Sequence, residues 1–197
     1  KALNIGKGDE VITVPYTFIS TVGAIATAGA KPVFVDIKED YNIDEKKIKS
    51  VITKKTKAIM PVHWAGRPCE LDKIKTIAKK YKLKLIFDSA HALGSEYRGK
   101  MIGNFGDIEC FSLSGTKVIT SAEGGIVASN DIELINKMNL GRNYGSSDDY
   151  NCKYLGLNGK MSEFHAAIAI ESIALLSYSV LARNRIAKLY KKLLSTM

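Results

Sequence analysis

The feature that most constrains this chain is an alternation of short, mostly apolar runs with stretches of helical spacing. The runs Glu10–Val14, Pro32–Ile37, Lys57–Val62 and Leu83–Phe87 are continuous rather than alternating in polarity. Strands of that kind are covered on both faces, as in a parallel sheet. Between them, Glu70–Tyr81 puts Leu71, Ile74, Ile77 and Ala78 on one side and Lys73, Lys75, Lys79 and Lys80 on the other, which predicts an amphipathic helix. Phe18–Ala28 predicts a helix of small residues stopped by Gly29. Lys1–Lys7 reads as a helix end closed by Gly6, and Asn42–Val51 as a short helix starting near Asp44. Tyr97–Lys100 reads as a tight turn between short strands, and Asp131–Asn139 as a helix capped by Asn130 or Asp131. Asn143–Asn151 is a polar loop, and Ser162–Glu163 opens a helical pattern reaching Leu194, long enough to predict a kink. The class is therefore α/β, with a mostly parallel sheet covered on both faces.

Ligands of such sheets sit at the carboxyl ends of the strands. His63, Asp88 and Ser112 all fall there. Leu85-Ile86-Phe87 ends in the carboxylate of Asp88, and Ile108–Phe111 leads into Ser112-Leu113-Ser114-Gly115-Thr116-Lys117. An acid at one strand end and a lysine after another, among small residues that admit a planar ligand, suit pyridoxal phosphate (PLP). The lysine would bond to it covalently and the acid would keep the pyridine nitrogen protonated. A lone loop lysine is more often a solvated charge, so these residues by themselves leave both readings open.

The net charge of +9, from 29 Lys+Arg against 20 Asp+Glu, raises nucleic acid as a partner. The lysines are spread over Lys46-Lys47, Lys54-Lys55, Lys79-Lys80 and Lys191-Lys192 without an aromatic platform, so a solvated surface is the reading and no nucleic acid is expected. Cys69, Cys110 and Cys152 give neither a disulfide framework nor metal spacing. No metal is expected, and a reducing, cytoplasmic setting is. No apolar run approaches membrane-spanning length and no signal peptide opens the chain, so no membrane association is expected.

Several further segments fall in a fixed order. They are Gly8–Val11, Pro15–Phe18, Ala30–Asp36, Pro61–His63 with Gly66, Asp88–Ala92, Gly103–Asp107, Phe111–Lys117, Glu123–Gly125 and Gly156–Glu163. In that order the chain, from Gly8 to about Leu194, resembles the sugar aminotransferases of the DegT/DnrJ/StrS type. The resemblance implies a three-layer αβα fold with a mixed, mostly parallel sheet, the large domain of fold type I PLP enzymes. It implies that Lys117 holds the cofactor and moves the proton, that Asp88 partners the pyridine nitrogen, and that Phe18 stacks on the ring. His91 would lie near the ring and its phenolic oxygen, Ser112 would bind the phosphate, and Asn158 would reach the phosphate site of a neighbouring subunit. Relatives begin well before Lys1, carry a phosphate-cradling Ser-Gly-Thr-type turn there, and continue into a small domain after the long helix. With no initiator Met either, the chain reads as the middle of a longer protein. Residues 1–161 are expected to be the PLP-binding large domain without its N-terminal part, and residues 162–197 a long helix leading to the small domain.

The implied activity is amination of a nucleotide-linked keto-sugar with glutamate as donor, by a homodimer, for a surface polysaccharide or secondary metabolite. The positive charge would favour such an anionic substrate. Lys117 argues against the family's dehydratase branch, where a histidine replaces it. Two alternatives remain: a lyase of the same fold, and a non-catalytic or truncated binding module. His63 is open between structural and substrate-side roles, Arg142 and Tyr144 read as an exposed loop pair, and His165 as packing. Glu123-Gly124-Gly125 reads as serving backbone geometry.

Overall fold

The computed structural model describes residues 1–147 and 151–195, so residues 148–150 of the loop read from Asn143 to Asn151 lie outside the described residues. Six strands form the main sheet: β1 (Glu10–Thr13), β2 (Lys31–Phe34), β3 (Thr56–Ile59), β4 (Lys84–Asp88), β7 (Ile108–Ser112) and β8 (Gly125–Ala128). Their order is β2-β1-β3-β4-β7-β8, and the pairings β1–β2, β1–β3, β3–β4 and β4–β7 are parallel. Two short strands, β5 (Glu96–Tyr97) and β6 (Lys100–Met101), make a hairpin. Its turn puts Arg98 and Gly99 at φ 51° and 75°, the left-handed pair a two-residue hairpin needs.

Alternate residues of the central strands enter two separate apolar clusters. Val11 and Ala58 meet Ile25 of α1 (Ile19–Thr27), with Ile86 packed alongside. Ile12, Ile59, Leu85 and Phe87 meet Leu71, Ile74, Ile77 and Ala78 of α2 (Leu71–Tyr81). Both faces are thus covered, as the continuous apolar runs require. The buried residues of α2 are the four that the spacing predicts, and each Leu or Ile so buried stabilises by about 1.5–3 kcal/mol. The helix ends at Lys82 in the left-handed region (φ 55°), where Leu83 N–H returns to the Ala78 carbonyl at 2.9 Å.

Two predicted helices do not form. Residues 1–7 make turns, because Asn4 takes φ 55° while Leu3 and Ile5 dock on the α1-side cluster. In Asn42–Val51, Ile43 is buried in an antiparallel bridge with Ile37, and Asp44 Oδ1 accepts from the Lys46 amide. Side-chain capture of the backbone there competes with a helix, and only Ile48–Val51 turns, as a 3₁₀ helix. α3 (Ile132–Arg142) is capped by Asp131, whose side chain accepts from the Glu133 and Leu134 amides.

The chain divides into two compact units, residues 1–111 with 126–160, and residues 112–125 with the segment from Met161 onward. In the second, the long helical pattern is broken at Leu175 into α4 (Glu163–Ala174) and α5 (Leu176–Leu194), bent by 59°. Ser162 caps α4, and its hydroxyl lies 2.6 Å from His165 Nδ1, so His165 serves the cap rather than packing. Among the described residues no single helix is long and apolar enough to cross a membrane; α4 and α5 together reach that length and composition only across their bend.

Candidate functional site

β4 carries Asp88 to the carboxyl edge of the sheet. Its amide donates to the Pro61 carbonyl at 2.9 Å, and its carbonyl accepts from the His63 amide at 3.0 Å. The half-buried carboxylate accepts from the Thr21 hydroxyl at 2.6 Å on Oδ2 and from the Ala90 amide at 3.1 Å on Oδ1. Thr21 is buried in α1, and its oxygen lies 2.7 Å from that of Thr17. Phe18 is the N-cap of α1, and its carbonyl accepts from the Thr21 amide, so it stands one turn from the group that holds Asp88. Its ring is 75% exposed, free to lie against a ligand. His91 is exposed on the turn after Asp88, closed by the Ala92 amide and the Ser89 carbonyl at 2.8 Å. The first unit thus gathers Phe18, Asp88 and His91 at one edge. A fixed carboxylate with an exposed aromatic ring and an imidazole fits a flat heterocycle with a protonated nitrogen.

Cys110 is the register partner of Asp88 on β7. Burial first, then the charges of Asp88 and Glu109, push its thiol up to about 11, so it adds no second anion beside the acid.

His63 lies beneath this edge, fully buried and stacked on Phe87 with ring centroids 4.9 Å apart. Its Nδ1 accepts from the Cys69 amide at 3.2 Å, and burial holds its pKa down at about 4. The ring is neutral and closed off from solvent, and its Nε2 has no hydrogen-bond partner among the described residues. Asn42, also buried, accepts from the Trp64 amide at 3.0 Å and donates to the carbonyls of Arg67 and Pro68.

Sequence reasoning missed the rings this support presents. Trp64 lies 4.6 Å from Tyr16 and 6.0 Å from Tyr41, and meets His91 edge-on at 6.4 Å. The rings come from separate loops, and Tyr41 and Ala65 take φ 66° and 49°. No spacing rule links them. Glu109 was missed as well. It is buried and accepts from the amides of Gly103, Phe105 and Gly106 at 2.7, 2.5 and 2.9 Å, fixing the loop that feeds β7.

In the second unit, Lys117 is half-buried on a loop cinched at its base. The Leu113 amide donates to the Gly124 carbonyl at 2.9 Å, and the Ser121 amide to the Leu113 carbonyl at 2.8 Å. Leu113 and Ile119 anchor the loop, and the Lys117 amide closes a turn onto the Ser114 carbonyl at 3.0 Å. The Ser112 hydroxyl accepts from the Ser114 amide at 3.3 Å. A β-carbon on Gly124 would stand 2.5 Å from Met161 Cε and 2.6 Å from Ser121 Oγ, so close approach requires glycine there.

Asn158 belongs to the first unit, away from the edge residues in sequence. It bridges Asn143, is exposed, and accepts from Lys160 Nζ at 2.7 Å. Arg142 and Tyr144 are exposed beside it, with Lys160 Nζ 4.1 Å over the Tyr144 ring.

Known proteins are similar to this chain in sequence and in fold. GDP-perosamine synthase of Caulobacter vibrioides is 39% identical over 201 residues, which cover 100% of this chain and 54% of that one. The solved structure of Helicobacter pylori PseC, an aminotransferase involved in the biosynthesis of pseudaminic acid, matches with a TM-score of 0.91 at 36% identity, over 94% of this chain and 51% of that one. S. venezuelae DesV, solved in complex with a ketimine intermediate, matches with a TM-score of 0.86 at 35% identity, over 90% and 48%. The chain spans about half the length of the curated relatives it matches. With a match along residues 1–197, the chain belongs to the DegT/DnrJ/EryC1/StrS aminotransferase family.

Proposed function

We propose that the protein is a PLP-dependent aminotransferase that converts a nucleotide-linked keto-sugar to an amino sugar, with glutamate as amino donor. The observation that carries this reading is Asp88, an acid fixed by two hydrogen bonds at the carboxyl edge of a parallel sheet, in a chain of an aminotransferase family. When bound, PLP supplies an electron-withdrawing ring that stabilises negative charge at the substrate carbon. Of this chain's residues, Asp88 would hold the ring nitrogen protonated, Phe18 would lie against the ring, His91 would lie near its phenolic oxygen, and Ser112 would bind the phosphate. Lys117 would move the proton off the donor's α-carbon in one half-reaction and onto the substrate carbon in the other. Ping-pong kinetics follow from the two half-reactions.

The dimer and the cytoplasmic setting belong to the same proposal. Exposed apolar side chains of α4 and α5, among them Phe164, Ile170 and Leu181, offer surface for a second subunit to cover, and Asn158 would serve that subunit's cofactor. Free thiols at Cys69, Cys110 and Cys152 suit a reducing compartment.

The test is the visible spectrum of the full-length protein with PLP, for wild type and Lys117→Ala, followed by borohydride trapping and mass mapping. A yellow band that borohydride fixes onto Lys117 and that the variant lacks is the expected result, followed by glutamate-dependent amination in a screen of keto-sugar nucleotides. No band in either protein would overturn the reading in favour of a binding module. A trapped Lys117 with no amino transfer would point to a lyase.

A further inference from the structure

We infer that Thr17 and Thr21 form a directed pair of hydroxyls that sets the rotation of the Asp88 carboxylate, making Thr21 a positioning residue for the cofactor nitrogen. The inference rests on the PLP reading above and extends it to two residues to which the resemblance assigns no role.

Direction follows from counting hydrogens. An ionised carboxylate only accepts, so the Thr21 hydroxyl, 2.6 Å from Asp88 Oδ2, donates to it. A hydroxyl has one hydrogen, so the Thr21 oxygen must be the acceptor in its 2.7 Å contact with Thr17, and Thr17 donates. Thr21 is 2% exposed, which keeps water from substituting for either partner. In a dry setting a chain of hydrogen bonds polarises along its length, and a charged acceptor at its end strengthens it. The Ala90 amide holds Oδ1 at 3.1 Å. With a donor on each oxygen, the carboxylate cannot turn about its Cβ–Cγ bond without breaking one of them. Thr21 lies on α1 and Asp88 on β4, so the pair also fixes the acid relative to the helix that begins at Phe18. A purely structural tie between α1 and β4 would serve any ligand equally. A positioning role serves only a ligand with a nitrogen to receive.

The discriminating experiment compares PLP with its analogue carrying carbon in place of the ring nitrogen. Both are titrated into the cofactor-free full-length protein by fluorescence, for wild type, Thr21→Val, Thr21→Ser and Thr17→Val. Thr21→Val keeps the shape and removes the hydroxyl. It is expected to weaken PLP about tenfold and the analogue less than about twofold. Thr21→Ser restores the hydroxyl and should return PLP affinity to near the wild-type value. Thr17→Val, one step removed, should weaken PLP about threefold. Wild-type affinity for PLP in Thr21→Val, or equal losses for PLP and the analogue, would overturn the positioning role while leaving the cofactor reading intact. A wild-type protein that binds neither compound would overturn both.

Discussion

The α-carbon of Gly66 approaches the His91 carbonyl so closely that a β-carbon on it would stand 2.6 Å from that oxygen. Gly66 is also at φ 83°, and its carbonyl accepts from the Ser95 hydroxyl at 2.7 Å. The loop bearing Trp64 and the turn bearing His91 are therefore set against each other by a missing side chain.

Gly66→Ala should destabilise the protein by about 1–3 kcal/mol, since it adds both a clash with backbone and left-handed strain. The shift in urea midpoint measures this. The same substitution should quench less of the fluorescence of Trp64, the single tryptophan, as its loop separates from the imidazole.

Glu109→Gln should cost about 1–3 kcal/mol, because an amide has one accepting oxygen, so at least one of the three N–H groups now shared between the two carboxylate oxygens would face an NH2 donor. Equilibrium denaturation reads the loss. Exchange of the Gly103, Phe105 and Gly106 amides should speed up before that of the strands.

His63 makes stability fall as pH drops through the weakly acid range. Its folded pKa, about 4, lies below the ordinary 6.5 because burial disfavours the charged ring. Between those values the unfolded chain binds a proton that the folded chain does not, so stability rises with pH across the window and is fully present above about 6.5. The span corresponds to at most about 3 kcal/mol. Unfolding midpoints recorded from pH 7.5 down to 4.5 should steepen in wild type, and His63→Gln should flatten that slope.

Local patterns were legible where one element decides its own outcome. The α2 face, the Asp131 cap and the Arg98-Gly99 turn follow from spacing and turn chemistry within a few residues, and the break in the C-terminal helix from the sheer length of its pattern. The place of Asp88 at the end of β4 was legible because the acid closes a continuous apolar run. The failures at Lys1–Lys7 and Asn42–Val51 share a cause: Ile5 and Ile43 are claimed by distant partners, and tertiary burial overrides helical propensity. The hydroxyls behind Asp88 and the rings around Trp64 were invisible for the same reason. Thr21 meets Asp88 across 67 positions of sequence, and no periodicity carries that information.

Glu109 has a consequence for how the chain finds its fold. The amides it gathers, from Gly103 to Gly106, lie within six positions of it, whereas the parallel pairings join residues as distant as Glu10 and Thr56. Closing so small a loop costs little entropy and takes well under a microsecond, while long-range parallel pairing is slow. The segment before β7 can therefore assume its final bend while the rest of the sheet is still unpaired. β7 would then arrive at β4 with its starting residue already chosen. A strand that could otherwise slip by one position, and turn Cys110 and Phe111 to the wrong faces, enters the sheet with its register set in advance.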